Sequence, residues 1–186
     1  MKRSFYENPL REGRLQFRFS KEPGATRYDK WTSHTQFFSK CGKKAVDFLL
    51  QLFDENVLII TEIKDFKRID KKGRYKNGRF SMELCIDVAQ KIVDTISALD
   101  EPEKLRQKDE QDFAKGTGRL ARKAVFHWEM KDSVRTDVRK QQLMNMTKAL
   151  KSRLHVLGSA CTHVKVSNIR DYPVDETWWT VTRIRK

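Results

Sequence analysis

Cysteine is scarce in this chain and forms no pattern. Its three copies, Cys41, Cys85 and Cys161, are odd in number, far apart and without a C-x-x-C pair. That argues against a disulfide framework and a zinc site, and suggests a reducing compartment. The four histidines (His34, His127, His155, His163) show no H-x-E or H-E-x-x-H spacing. The first residues, MKRSFYENPL, lack the apolar stretch of a secretory signal, and no apolar run approaches the ~18 residues of a membrane span. A cytoplasmic location is therefore expected. Internal repeats, low-complexity tracts and a basic amphipathic helix suited to a lipid surface are also missing.

Acidic residues are the other deficit. Lys and Arg number 39 against 25 Asp and Glu, a formal charge of +14. Such an excess favours a polyanionic partner, because neutralising phosphates releases condensed counterions. An acidic protein partner and a merely basic surface are the competing explanations. With 186 residues, 38% of them apolar, the chain is long enough for one domain with a real core.

Along the chain, RLQFRFS (14–20) alternates like a short strand, KEPGATRYDKW (21–31) reads as a loop, and TQFF (35–38) as another short strand. Two apolar segments, 44–53 and 57–66, flank the turn-prone Asp54-Glu55-Asn56 and form a hairpin. A basic loop, IDKKGRYKNGR (69–79), follows. Ser81 caps a helix over 82–99, with Val88, Ile92, Val93, Ile96 and Leu99 at helical spacing. Residues 100–123 are highly charged, part helix and part loop. AVFHWEM (124–130) is a strand. A second helix near 136–157 carries Leu143, Met146, Leu150 and Leu154 and stops at Gly158, and 163–169 and 177–185 are closing strands. Helices between strands carry crossovers and cover a sheet face, so a mixed α/β sheet with additional C-terminal strands is expected.

Three charges interrupt the apolar hairpin: Asp47, Glu62 and Lys64. Buried and uncompensated, each would cost several kcal/mol. Glu62 and Lys64, two apart on a strand, share a face. With a turn over Phe53–Asn56, Leu52 pairs with Val57 and Asp47 falls opposite Glu62. A three-residue turn would oppose Asp47 to Ile63 instead and send it to the other face, unless a bulge restored the parity. Two carboxylates that close need cations between them. Lys64 supplies one charge, and oxygen ligands favour a hard divalent ion, Mg²⁺ or Mn²⁺. Such an ion polarises a phosphoryl oxygen and makes hydroxide available near neutral pH, while the lysine orients the water or stabilises charge on phosphorus. The plainer alternative is an ion pair without metal. The triplet itself is common: Glu129-Met130-Lys131 repeats it, without an aspartate on a preceding strand, and reads as a strand exit.

Asp47 followed 15 positions later by Glu62-Ile63-Lys64, in the setting KAVDFLL…VLIITEIKDF, resembles the PD-(D/E)XK nuclease superfamily, which includes restriction endonucleases, Holliday junction resolvases and RecB-like nucleases. Val46 stands where the name-giving proline would be. The resemblance covers about 44–99 and extends to the strand at 124–130. It implies a restriction-endonuclease-like mixed sheet flanked by helices, in a single domain with an N-terminal extension (1–34), a catalytic core (35–131) and a C-terminal helix and strands (132–186). It also implies Mg²⁺-dependent cleavage, with Asp47, Glu62 and the Ile63 carbonyl as metal ligands and Lys64 assisting the water. Some relatives place a glutamine on the next helix, where Gln90 stands here; a surface glutamine is the other account of it. Many carry an N-terminal acidic ligand, for which Glu22 and Asp29 are only loose counterparts.

Lys43 and Lys44 lead into the first strand, and Lys67, Arg68, Lys71, Lys72, Arg74 and Lys76 follow the second. A hairpin gathers both groups at one end, a positive rim for a nucleic-acid backbone, DNA ahead of RNA. KGTGRLARK (115–123) is a second basic stretch, and Tyr75, Trp31, Trp178 and Trp179 are aromatic enough to stack on bases, although strand aromatics usually pack. The expected function is a metal-dependent endo- or exonuclease. The alternatives are a catalytically silent nucleic-acid-binding domain of the same fold and a basic protein-interaction subunit. A homodimer and a place in a larger complex are both compatible with the sequence.

Overall fold

A computed structural model describes residues 5–21, 24–66, 80–170 and 178–184. The described residues form eight strands and four α-helices. The strands are β1 (Leu10–Glu12), β2 (Leu15–Phe19), β3 (Ala25–Thr26), β4 (Phe48–Leu52), β5 (Val57–Asp65), β6 (Ala121–Glu129), β7 (Cys161–Ser167) and β8 (Trp179–Arg183). The helices are α1 (Thr32–Gln36), α2 (Met82–Leu99), α3 (Lys108–Thr117) and α4 (Thr136–Val156).

The central sheet has the order β3-β4-β5-β6-β7. β3 and β4, and β4 and β5, pair antiparallel; β5, β6 and β7 run parallel. Parallel neighbours need crossovers, and α2 with α3 supplies the first and α4 the second. The chain is thus a mixed α/β protein whose five-stranded mixed sheet is flanked by helices.

Period-two alternation sorts the side chains of the buried strands into two cores. Leu49, Leu58, Ile60, Ala124 and Phe126 meet Leu84, Val88 and Ile92 of α2 and Leu143, Met146 and Leu150 of α4. On the other face Phe48, Leu50, Leu52, Ile59 and Val125 meet Leu15, Phe17, Phe19 and Trp179 of a second sheet, β1-β2-β8. Edge-to-face rings hold that layer, with Phe48 centred 5.4 Å from Phe17 and 5.5 Å from Trp179. The closing segments therefore part: β7 extends the central sheet and β8 joins the first strands of the chain.

α2 begins where Ser81 Oγ accepts the Leu84 N–H at 3.1 Å, and α4 ends at Gly158, whose φ of 65° suits a residue without a Cβ. Two expectations need correction. Residues 35–38 form no strand; Thr35 and Gln36 end α1, and Phe38–Cys41 make a 3-10 turn. The reason is distant in sequence: buried Glu110 accepts the Thr32 and Ser33 N–H groups and caps that helix. The loop expected at 21–31 contains β3 and a 3-10 turn at Tyr28–Lys30. Among the described residues no helix is long and apolar enough to cross a membrane.

Candidate active site

β4 and β5 fix the site. Their register pairs Leu52 with Val57 and Phe48 with Thr61, across a turn in which Asn56 takes the left-handed conformation at φ 54°. Asp47 lies one residue ahead of β4, at a bend rather than inside the strand. From there it contacts both neighbours of Glu62: its N–H donates to the Thr61 carbonyl at 3.0 Å, and its Oδ2 accepts the Ile63 N–H at 2.5 Å. Asp47 and Glu62 are thereby brought together.

Glu62 follows Leu58 and Ile60 on the face turned to α2, and its side chain is 0% exposed. One carboxylate oxygen, Oε1, lies 2.8 Å from Lys64 Nζ and 2.6 Å from Lys91 Nζ. The other, Oε2, is buried and accepts no hydrogen bond from any described residue. Two ammonium groups thus crowd one oxygen and leave its twin free.

The electrostatics follow from burial. Asp47 is pushed well above the usual carboxylate range, first by desolvation and then by the Glu62 charge; Lys91 and the Ile63 N–H act in the opposite direction. Burial opposes the charge of Lys64, yet the adjacent Glu62 carboxylate overcomes it and holds the amine above the ordinary lysine value.

Lys91 is the residue that the sequence reading did not single out. It lies on α2 three residues after Val88 and four before Thr95, both fully buried. A lysine on that apolar stripe was the available signal. Gln90, one position earlier, donates from Nε2 to Asp94 Oδ1 at 3.0 Å and belongs to another group. Lys43 Nζ lies 3.3 Å from the same Asp94, whose Oδ2 accepts the Lys44 N–H at 2.9 Å. Lys44 Nζ pairs at 2.7 Å with Asp87, one helical turn before Lys91, and this bond and charge hold Asp87 below its usual value against the desolvation that would raise it. Lys67, Arg68, Lys71, Lys72, Arg74 and Lys76 lie outside the described residues, as does Tyr75.

The second E-x-K copy is built differently. Glu129 ends β6, accepts the Ile169 N–H at 2.7 Å and sits 3.7 Å from Arg183, which also grips Asp65 at 3.0 Å. In the other basic stretch Arg122 is bound to Asp100, and Lys123 lies 5.1 Å from the centre of the Trp178 ring. Trp31, Trp178 and Trp179 are buried and pack within the protein.

As a divalent-ion site, Asp47 and Glu62 offer two carboxylates, one with an unused oxygen. Among the described residues no group of three or more His, Cys, Asp or Glu side chains could hold a metal. A hard ion would therefore complete its shell with main-chain carbonyl, water or phosphate oxygens. The donor chemistry fits Mg²⁺ or Mn²⁺. No protein-family model, curated protein or solved structure matches the chain.

Proposed function

We propose that the chain is a metal-dependent nuclease of the PD-(D/E)XK type that hydrolyses phosphodiester bonds, in DNA ahead of RNA, with Mg²⁺ or Mn²⁺ as cofactor. The observation that carries this reading is the free, buried Glu62 Oε2 beside Asp47, with Lys64 at hand. A buried carboxylate oxygen without a donor is costly, and an ion that used it would remove that cost. When bound, the ion would supply Lewis acidity towards a phosphoryl oxygen. Asp47 and Glu62 would hold it. Lys64, still protonated at neutral pH, is suited to orienting the attacking water and to stabilising negative charge on phosphorus rather than to removing a proton. The formal charge of +14 would draw a polyanion to the site.

Incubating the purified protein with plasmid, linear, branched and single-stranded substrates, with Mg²⁺ and with EDTA, tests this. The expected result is Mg²⁺-dependent cleavage, abolished by Asp47→Ala and reduced about 100-fold or more by Lys64→Ala. One observation favours a second reading: Lys64 and Lys91 already offset the two carboxylates, as a structural ion cluster would. Salt-sensitive DNA binding that is indifferent to Mg²⁺ and never nicks the substrate would establish a silent nucleic-acid-binding domain instead.

A further inference from the structure

We propose that Lys91 is a positioning residue that occupies the metal's electrostatic place: it holds Glu62 in line and keeps the affinity for a divalent ion low until a phosphate arrives. This rests on the reading of Asp47 and Glu62 as metal ligands.

The geometry assigns Lys91 this part. Its Nζ is closer to Glu62 Oε1 than that of Lys64, 2.6 against 2.8 Å. It comes from the middle of α2, a helix anchored by Leu84, Val88 and Ile92 in the core, so it is carried on a rigid element. An ion bound through Oε2 would share one carboxylate with two ammonium groups. With both carboxylates ionised, they balance the two amines before any ion enters, and a dication leaves two positive charges in excess. Like charges that close repel strongly where water is largely excluded. A phosphodiester brings part of the missing negative charge, so ion and substrate phosphate stabilise each other at the site, and that coupling is reciprocal. Lys91 sets its size. It has a further effect: by occupying Oε1 it leaves the buried Oε2 as the free ligand.

Mn²⁺ binding without nucleic acid, followed by calorimetry and by electron paramagnetic resonance, tests the inference apart from catalysis. Lys91→Met should tighten Mn²⁺ by about tenfold or more, because one neighbouring positive charge is gone. Lys91→Arg, which keeps the charge, should stay near wild type. Asp47→Ala should remove binding in either background. Should Lys91→Met lack a cooperative melting transition, Lys91→Gln carries the same expectation, since it too removes the charge and keeps a polar side chain. Asp47-dependent Mn²⁺ binding that is unchanged or weaker in the uncharged variants would overturn the role of Lys91 and leave the metal site standing. Mn²⁺ binding in none of the proteins would overturn the metal site and this inference together.

Discussion

Asp47 reaches past Glu62 to the next residue: its Oδ2 accepts the Ile63 N–H at 2.5 Å, and that bond pins one carboxylate beside another that is fully buried. The arrangement keeps two like charges together in a poorly solvated place. Desolvation and the Glu62 charge raise the Asp47 pKa above its ordinary value. The folded state therefore binds that proton more tightly than the unfolded chain. The sign follows: the contribution of Asp47 to stability is greatest below the unfolded pKa, about 3.9, and declines as pH rises towards the folded one. Asp47→Asn keeps an acceptor for Ile63 and removes the charge, so it should melt higher than wild type at pH 8. The advantage should shrink towards pH 4. Melting curves at both pH values check this, and a gap independent of pH would refute it.

Glu62 has the opposite character. It is the counter-charge for two amines, so Glu62→Gln leaves Lys64 and Lys91 facing a neutral partner. Breaking a buried ion cluster on one side costs about 3 kcal/mol, less here to the extent that both lysines are partly exposed. Adding Lys91→Met to Glu62→Gln should recover part of the loss. Urea denaturation of the four proteins of this cycle measures the coupling, expected above about 1 kcal/mol; additive effects would mean that the pair is not coupled.

The hairpin was legible from local signals, and of the two registers they allowed the chain adopts the one with Leu52 opposite Val57. A turn over Phe53–Asn56 sets Leu52 against Val57, and that register carries Asp47 to the neighbourhood of Glu62. The helix after the hairpin was legible for the same reason: the Ser81 cap and the stripe from Val88 to Leu99 need nothing beyond 81–99. What escaped depends on distant residues. Residues 35–38 read as a short strand, but the first two end a helix whose start Glu110 caps from 77 positions away. β1 and β3, of 3 and 2 residues, are too short for a periodicity and exist through their partners. Lys91 was visible only as a charge on the wrong side of a helix, and its meaning needed the position of Glu62.

The Glu110 cap gives its own prediction. Its carboxylate receives the Thr32 N–H at 2.6 Å and the Ser33 N–H at 3.3 Å, and also the Ser33 hydroxyl. Glu110→Ala strips the start of α1 of acceptors inside a buried environment, at an expected cost of about 2 kcal/mol. Hydrogen exchange should accelerate first at the Thr32 and Ser33 amides. Unchanged exchange there would show that the cap contributes little.

The proposed nucleic-acid binding would rest on charge, and its salt dependence would tell which charges matter. Each phosphate neutralised on duplex DNA contributes about 0.9 to the slope of log K against log salt. If Lys71, Lys72 and Arg74 each meet a phosphate, their joint replacement by alanine should reduce that slope by about 2 to 3. Arg122 is the internal control. It is equally basic, but only 8% exposed and bound to Asp100, so Arg122→Met should lower stability and leave the slope alone. Fluorescence anisotropy with a labelled duplex across a salt series separates the two. A slope untouched by the triple replacement would remove residues 69–79 from the interface, and an equal loss from Arg122→Met would show that the slope follows total charge and not a particular surface.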